Sequence, residues 1–188
     1  ASTVVKSIVD QDRTVTDVAV RAGDALTVVS LPRVARDSPV FFVRCELIAA
    51  NGAVVAENVY WQSQQRDDAG DPAADRPFET RQVSWADMTA LNRMPRVALQ
   101  LGAERNRHGG VTVFLRNPTG RIAFFERAEI LAGSGGDEIL PIRYSDNYVT
   151  VFPGETVEVY ATVPAGGPEP GWVRVSGYNT AAQVVPIG

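Results

Sequence analysis

The sequence predicts an all-β protein built from two immunoglobulin-like β-sandwich domains in tandem. A strand motif at residues 41–48 (FFVRCELI) is echoed 83 residues later at residues 124–131 (FFERAEIL), which indicates two related modules. Apolar residues alternate with polar ones in short segments, as half-buried strands require. Gly, Pro, Asn and Asp separate these segments about every 8–12 residues, a spacing typical of a β-sandwich.

Residues 1–65 are predicted to form the first, partial sandwich. Val-rich alternation predicts five strands, and the turn between the last two is Asn51-Gly52, one of the strongest short hairpin signals. Another turn is predicted around Gly23, before the third strand. The five predicted strands cover residues 3–9, 13–20, 25–31, 40–49 and 53–61.

Residues 66–95 are predicted to be a linker that contains a short helix. The stretch 62–82 is rich in Asp, Arg and Gln and cannot bury enough apolar surface to offset its ordering entropy. The helix is predicted over 84–91, with Ser84 as its N-cap and with Trp85, Met88 and Leu91 on one face.

Residues 96–188 are predicted to form the second immunoglobulin-like sandwich. Turn signals such as Pro153-Gly154 separate seven segments, and seven short strands are the number of such a domain. The cysteine pair of antibody domains is absent, so this prediction depends on strand count and alternation. The predicted strands cover residues 97–103, 111–117, 121–131, 138–143, 147–152, 155–163 and 172–179.

Composition excludes several functional classes. The chain has 188 residues and a net charge of −4, which provides no electrostatic footprint for nucleic acid or an anionic membrane. Cys45 is the only cysteine and His108 the only histidine, so the chain has no intrachain disulfide, no zinc-ligand spacing and no Ser-His-Asp arrangement. We therefore expect no catalytic residue, no metal site and no cofactor.

Carboxylates are the remaining candidates for catalysis. Glu126 and Glu129 lie on one predicted strand and Asp137-Glu138 follows it, and glycosidases need two carboxylates about 5–10 Å apart. Strand carboxylates more often face water or pair with Arg, and Arg127 and Arg143 are close in sequence. The sequence favours this second interpretation.

Aromatic side chains are candidates for contact with sugars, because the apolar face of a pyranose matches a flat ring. In a sandwich, large aromatics are more often part of the core. The dipeptide Asp146-Asn147 is either a calcium or sugar contact or an Asx-type turn. The candidate carbohydrate contacts are Tyr144, Asp146, Asn147 and Trp172, and further possible stacking platforms are Trp61, Tyr148 and Tyr178.

Several segments resemble, in order, the C-terminal region of family 2 glycoside hydrolases of the exo-β-D-glucosaminidase and β-mannosidase type. Residues 54–61 (VVAENVYW) are similar to the last strand of the sandwich that follows the catalytic barrel, and residues 84–91 (SWADMTAL) to the helical joint after it. The last sandwich of those enzymes is resembled by residues 140–148 (LPIRYSDNY), 152–155 (FPGE) and 173–179 (VRVSGYN). The resemblance covers nearly the whole chain.

The resemblance implies a non-catalytic accessory region of a retaining β-glycosidase that acts on chitosan or related oligosaccharides. In that family the acid/base and nucleophile glutamates lie on a preceding (β/α)8 barrel, so no catalytic residue carries over to this chain. The implied partners are that barrel and, in addition, polysaccharide, and the implied location is extracellular. Two alternatives stay open, a stand-alone carbohydrate-binding module and an adhesion module that uses its strand edges.

The first sandwich is expected to be truncated at its N-terminus. The family comparison places about two further strands before Ala1. A second register of the internal echo agrees, because residues 22–28 (AGDALTV) match residues 153–159 (PGETVEV) at an offset of about 130. Under this register the double-Phe echo is partly coincidental.

Overall fold

The computed structural model describes residues 2–7, 11–15, 19, 21–27, 30, 39–71, 73, 76–79 and 81–188. The chain divides into two compact units, Ala1–Arg93 and Met94–Gly188. Both units are built from antiparallel strands, which confirms the predicted all-β class. No helix in the described part of the chain is long and apolar enough to cross a bilayer.

The described part of the first unit contains a four-stranded antiparallel sheet in the order β2-β1-β3-β4. The predicted hairpin joins β3 and β4: Gly52 has a φ of 84°, which glycine adopts without strain, and Asn51 Oδ1 accepts a hydrogen bond of 3.1 Å from the Ala53 amide. The strands are β1 (Ser2–Ser7), β2 (Gln11–Val15), β3 (Val40–Ile48) and β4 (Val54–Ser63).

One predicted strand of the first unit is wrong over its described part. The expected turn forms at Gly23, where φ is 83° and the Asp24 amide donates to the Arg21 carbonyl at 3.1 Å. Residues 25–27 and 30, however, lie in no strand and are exposed. Residues 28, 29 and 31 of that prediction lie outside the described residues.

The predicted helix is shorter, begins later and has a different cap. A 3₁₀-helix covers Thr89–Arg93, and its cap is Asp87, whose Oδ1 accepts hydrogen bonds from the Thr89 amide at 2.9 Å and hydroxyl at 2.6 Å. These bonds hold the pKa of Asp87 below its usual value. Ser84 cannot cap, because its backbone forms a β-bridge with Asp68. Trp85 is consequently exposed while Leu91 is buried.

The second unit is a sandwich of two four-stranded antiparallel sheets, ordered β5-β6-β10-β8 and β12-β11-β7-β9. This arrangement is that of immunoglobulin-like domains. Apolar residues at alternate positions of both sheets form its core, including Val113, Ile130, Val159 and Val175. The strands are β5 (Gln100–Arg105), β6 (Val111–Arg116), β7 (Ala123–Leu131), β8 (Arg143–Tyr144), β9 (Val149–Val151), β10 (Thr156–Thr162), β11 (Trp172–Ser176) and β12 (Gln183–Pro186).

The described part of the second unit has eight strands instead of the seven predicted. The expected strand at 138–143 is reduced to β8 at its end, since Pro141 has no N–H to donate to a ladder. The short last strand, β12, was missed because it holds only four residues and ends in Pro186.

Candidate functional site

Four aromatic rings at the start of β7 form a continuous cluster, which we call the aromatic ledge: Phe124, Phe125, Tyr148 and Tyr178. Ring centroids lie 5.6 Å apart for Tyr178–Phe124, 5.4 Å for Phe124–Phe125 and 5.0 Å for Phe125–Tyr148. Phe124 is 3% exposed and forms the floor. The other three are between 38% and 48% exposed, so the ledge presents aromatic surface to solvent.

The backbone of the ledge adopts a conformation that bulky residues avoid. Phe125 has a φ of 60° and Tyr148 a φ of 57°, and they are the two non-glycine residues with positive φ in the described ranges. The pairing of β7 with β9 shifts register from Ala123 to Glu126, and Phe125 lies within this irregular stretch. A non-glycine residue with positive φ costs on the order of 1–3 kcal/mol of conformational energy, and it keeps this conformation only where surrounding contacts impose it.

Two asparagine side chains hold the ledge in place. Asn147 Oδ1 accepts hydrogen bonds from the amides of Ala128 at 2.8 Å and of Tyr148 at 3.0 Å, while its Nδ2 donates to the Ala128 carbonyl at 3.0 Å. Buried Asn179 accepts from the Phe124 amide at 2.9 Å through its Oδ1. The strained segments are therefore fixed by hydrogen bonds to side chains.

Asn179 also joins two other segments of the second unit. Its Nδ2 donates at 2.8 Å to the carbonyls of both Pro95 and Ile122. The Tyr178 amide donates to the Phe124 carbonyl at 2.8 Å, which sets the two rings side by side. These contacts fix the backbone at Phe124 and Tyr178.

The structure does not bring the four predicted carbohydrate contacts together as one exposed surface. Tyr144 packs against the core, and burial raises the pKa of its phenol to about 12. Asn147 is committed to β7, as described above. Asp146 is exposed, with Oδ1 accepting from the Asn147 amide at 2.7 Å. Trp172 is half-buried on β11. Their contact with sugar stays a prediction.

The strand carboxylates are buried or paired. Glu129 is 5% exposed, and Arg174 holds it through two hydrogen bonds of 2.7 and 2.8 Å, which lower its pKa. Glu138 pairs with Arg127 at 2.5 Å. Both carboxylates therefore form ion pairs, as the sequence favoured, and Glu129 is closed to a substrate.

Glu126 is fully buried behind the ledge. Its Oε1 accepts a hydrogen bond of 2.5 Å from the Thr180 hydroxyl, and its Oε2 has no hydrogen-bond partner among the described residues. Burial raises the pKa of this carboxyl from 4.5 to about 7. A sealed acid of this kind has no route to a glycosidic bond. Over the described ranges, no group of three or more metal-ligating side chains is present.

The sequence indicated part of the ledge. Tyr148 and Tyr178 stood out as possible stacking platforms, but Phe124 and Phe125 were read only as strand residues. The available signal was the Phe124-Phe125 pair itself, since two large apolar residues in succession cannot both face the core of a regular strand. The irregularity in β7 resolves this conflict by exposing Phe125.

The fold defines an immunoglobulin-like region, and comparisons with known proteins show which family it comes from. Residues 77–180 match the family model described as the exo-β-D-glucosaminidase Ig-fold domain. The chain belongs to this family.

Similar proteins are exo-β-D-glucosaminidases. The enzyme of Amycolatopsis orientalis is 34% identical over 174 residues, which cover 87% of this chain and 16% of that protein. The enzyme of Streptomyces avermitilis is 36% identical over 186 residues, covering 93% of this chain and 20% of that protein. The chain thus spans about a fifth or less of the length of these relatives.

Solved structures show the same relationship. The crystal structure of Amycolatopsis orientalis exo-chitosanase matches with a TM-score of 0.85 and 29% identity, over 98% of this chain and 23% of that chain. A complex of a variant of that enzyme with PNP-β-D-glucosamine matches with a TM-score of 0.84 and 28% identity, over the same shares of both chains. The chain is similar to an accessory part of these enzymes, as its resemblance to family 2 glycoside hydrolases implied.

Proposed function

We propose that the parent of this chain hydrolyses β-glycosidic bonds of chitosan or related oligosaccharides, and that this region supports the parent's catalytic barrel. The family match over residues 77–180 carries the proposal. The short coverage of the relatives agrees with an accessory role, because most of each relative lies outside the matched region. Extracellular location is part of the same proposal.

Deleting residues 1–188 from the complete parent protein tests this supporting role. We expect the deletion to lower the thermal midpoint of the catalytic portion, or to leave that portion insoluble, since an interface of sandwich and barrel is lost. The thermal midpoint and the residual turnover of PNP-β-D-glucosaminide are the measurements. An unchanged midpoint and full turnover would overturn the proposal.

The substrate of the parent is tested separately. Assays of the complete protein with the PNP glycosides of β-D-glucosamine and of β-D-mannose compare its glucosaminidase activity with its mannosidase activity. We expect the glucosaminide to be cleaved with the higher kcat/KM, because the family match is to glucosaminidases. A preference for the mannoside would contradict that assignment.

A second candidate function is direct contact with polysaccharide. The aromatic ledge favours it, because three half-exposed rings are held in a fixed arrangement. Titration of the isolated chain with chitosan oligosaccharides tests it. The sequence-based candidate Trp172 is included by comparing Trp172→Ala with the native chain.

A further inference from the structure

We propose that the aromatic ledge is a binding surface for a chain of β-linked amino sugars. The inference rests on the polysaccharide contact proposed above and names the residues that make it. It concerns Phe125, Tyr148 and Tyr178, with Phe124 as their buried support. Tyr148 and Tyr178 are among the possible stacking platforms that the sequence indicated, whereas Phe124 and Phe125 are not.

The geometry of the rings suits an extended ligand. The centroids of successive rings lie 5.6, 5.4 and 5.0 Å apart from Tyr178 to Tyr148, so each ring contacts the next. Neighbouring rings are tilted by 43° to 57° relative to each other, and three of the four rings are 38% to 48% exposed. A flexible sugar chain can meet such a surface with successive units.

The chemistry of the ledge matches an amino sugar. A β-linked glucosamine unit carries its polar groups around the rim and leaves C–H groups on both faces, which pack against aromatic rings. Tyrosines add hydroxyl groups that exchange hydrogen bonds with sugar hydroxyls. The protonated amine is a cation, and a cation within about 6 Å of a ring centroid is attracted to the face of that ring.

An acidic residue lies close to the ledge in the chain. Asp146 is exposed and stands two residues before Tyr148, so their Cα atoms lie within about 7 Å of each other. The net charge of the whole chain is −4, which favours approach of a polycation at low ionic strength. This charge distinguishes chitosan from neutral glycans as the preferred ligand.

The ledge is already in its binding arrangement. Phe125 and Tyr148 adopt a backbone conformation that costs energy. The Tyr148 amide donates to Asn147 Oδ1, and the amide of Phe124, the neighbour of Phe125, donates to Asn179 Oδ1. A fixed arrangement reduces the conformational entropy that is lost when a ligand binds. The strained backbone thus exposes the rings of Phe125 and Tyr148 at a cost in stability, as expected of a binding surface.

Titration of the 188-residue chain with chitosan oligosaccharides tests the proposal, in a buffer acidic enough to protonate the amine but above the chain's pI of about 5.1, so that the chain keeps a negative net charge. We expect saturable binding that is weaker for the N-acetylated oligosaccharides, because acetylation removes the cation. Phe125→Gly and Tyr148→Gly remove one ring each while keeping a residue that accepts positive φ without strain. Each is expected to weaken binding about tenfold.

The matched control is Tyr160→Ala, on β10 in the other sheet. Tyr160 is 49% exposed, similar to Tyr148 at 48%, so the substitution removes a comparable ring from a different surface. We expect it to leave the affinity unchanged. Thermal midpoints of all variants show whether each sandwich remains folded.

Absence of saturable binding by the native chain would overturn the proposal. Equal affinities of the native chain and of folded Phe125→Gly and Tyr148→Gly variants would overturn it as well. Either result leaves the supporting role of the region untouched, since that role is tested on the stability of the parent.

Discussion

At the scale of single residues, Glu126 combines full burial with an incomplete set of hydrogen bonds. Thr180 satisfies one oxygen, and the other has no hydrogen-bond partner among the described residues. Burial therefore favours the neutral acid, and the pKa rises from 4.5 to about 7. The folded state holds this proton more tightly than the unfolded state does between these two values. The contribution of Glu126 to stability is consequently fully present below pH 4.5 and is lost as pH rises through about 7.

Glu126→Gln is expected to remove this contribution to the pH dependence. The amide is neutral at every pH, so the variant should match the native chain near pH 4.5. Near pH 8.5 it should be more stable by on the order of 2 kcal/mol. Urea unfolding of both proteins at the two pH values measures the difference. An equal stability difference at both pH values would contradict the assigned cause.

Gly177 shows that the space around this carboxyl is filled. A Cβ added to Gly177 would overlap the Glu126 carboxyl group, whereas a Cβ at Gly120 would meet no atom within 4 Å. Gly177→Ala should therefore destabilise the second unit by about 1–3 kcal/mol. Gly120→Ala is the control and should change the urea midpoint little. Similar urea midpoints for the two variants would contradict the predicted overlap between a Cβ at Gly177 and the Glu126 carboxyl group.

At the scale of elements, Asn147 attaches the segment between β8 and β9 to β7. Its side-chain amide takes the place of a neighbouring strand: Oδ1 accepts from the Ala128 amide, and Nδ2 donates to the Ala128 carbonyl. The sequence indicated a turn at Asp146-Asn147 but offered no sign of this attachment. The reason is that Ala128 is 19 residues away, and a local pattern cannot identify so distant a partner.

Asn147→Ala is expected to destabilise the second unit by about 2 kcal/mol, because it leaves the Ala128 backbone groups without partners. Asp146→Asn keeps an acceptor for the Asn147 amide and should have little effect on stability. Urea unfolding of the two variants provides the comparison. Near-native stability of Asn147→Ala would mean that water replaces the lost bonds at no cost.

Elements with a strong local signal could be predicted, and those fixed by distant contacts could not. The β3–β4 hairpin could be predicted from Asn51-Gly52, because glycine readily adopts the positive φ that this turn requires. The helix was misplaced because the β-bridge of Ser84 to Asp68 competes with capping, and that bridge joins residues far apart in sequence. Strand β12 is too short for its alternation to be recognised.

At the scale of the whole molecule, the all-β class and the second sandwich could be predicted because strand alternation repeats along the chain. Many weak local signals add up, so the loss of a few does not change the class. The predicted division at residues 65/66 and 95/96, and the truncation of the first sandwich, remain predictions. The aromatic ledge could not be predicted as a surface, because an irregularity in β7 creates the exposure of Phe125.

We propose that this immunoglobulin-like region supports the catalytic portion of its parent and performs no catalysis of its own. Incubation of the purified 188-residue chain with PNP-β-D-glucosaminide and with chitosan oligosaccharides tests it most directly, with a complete exo-β-D-glucosaminidase as the positive control. We predict no release of p-nitrophenol or glucosamine above the buffer rate. Reproducible turnover by the native chain that is abolished in Glu126→Gln or Glu129→Gln would contradict the claim.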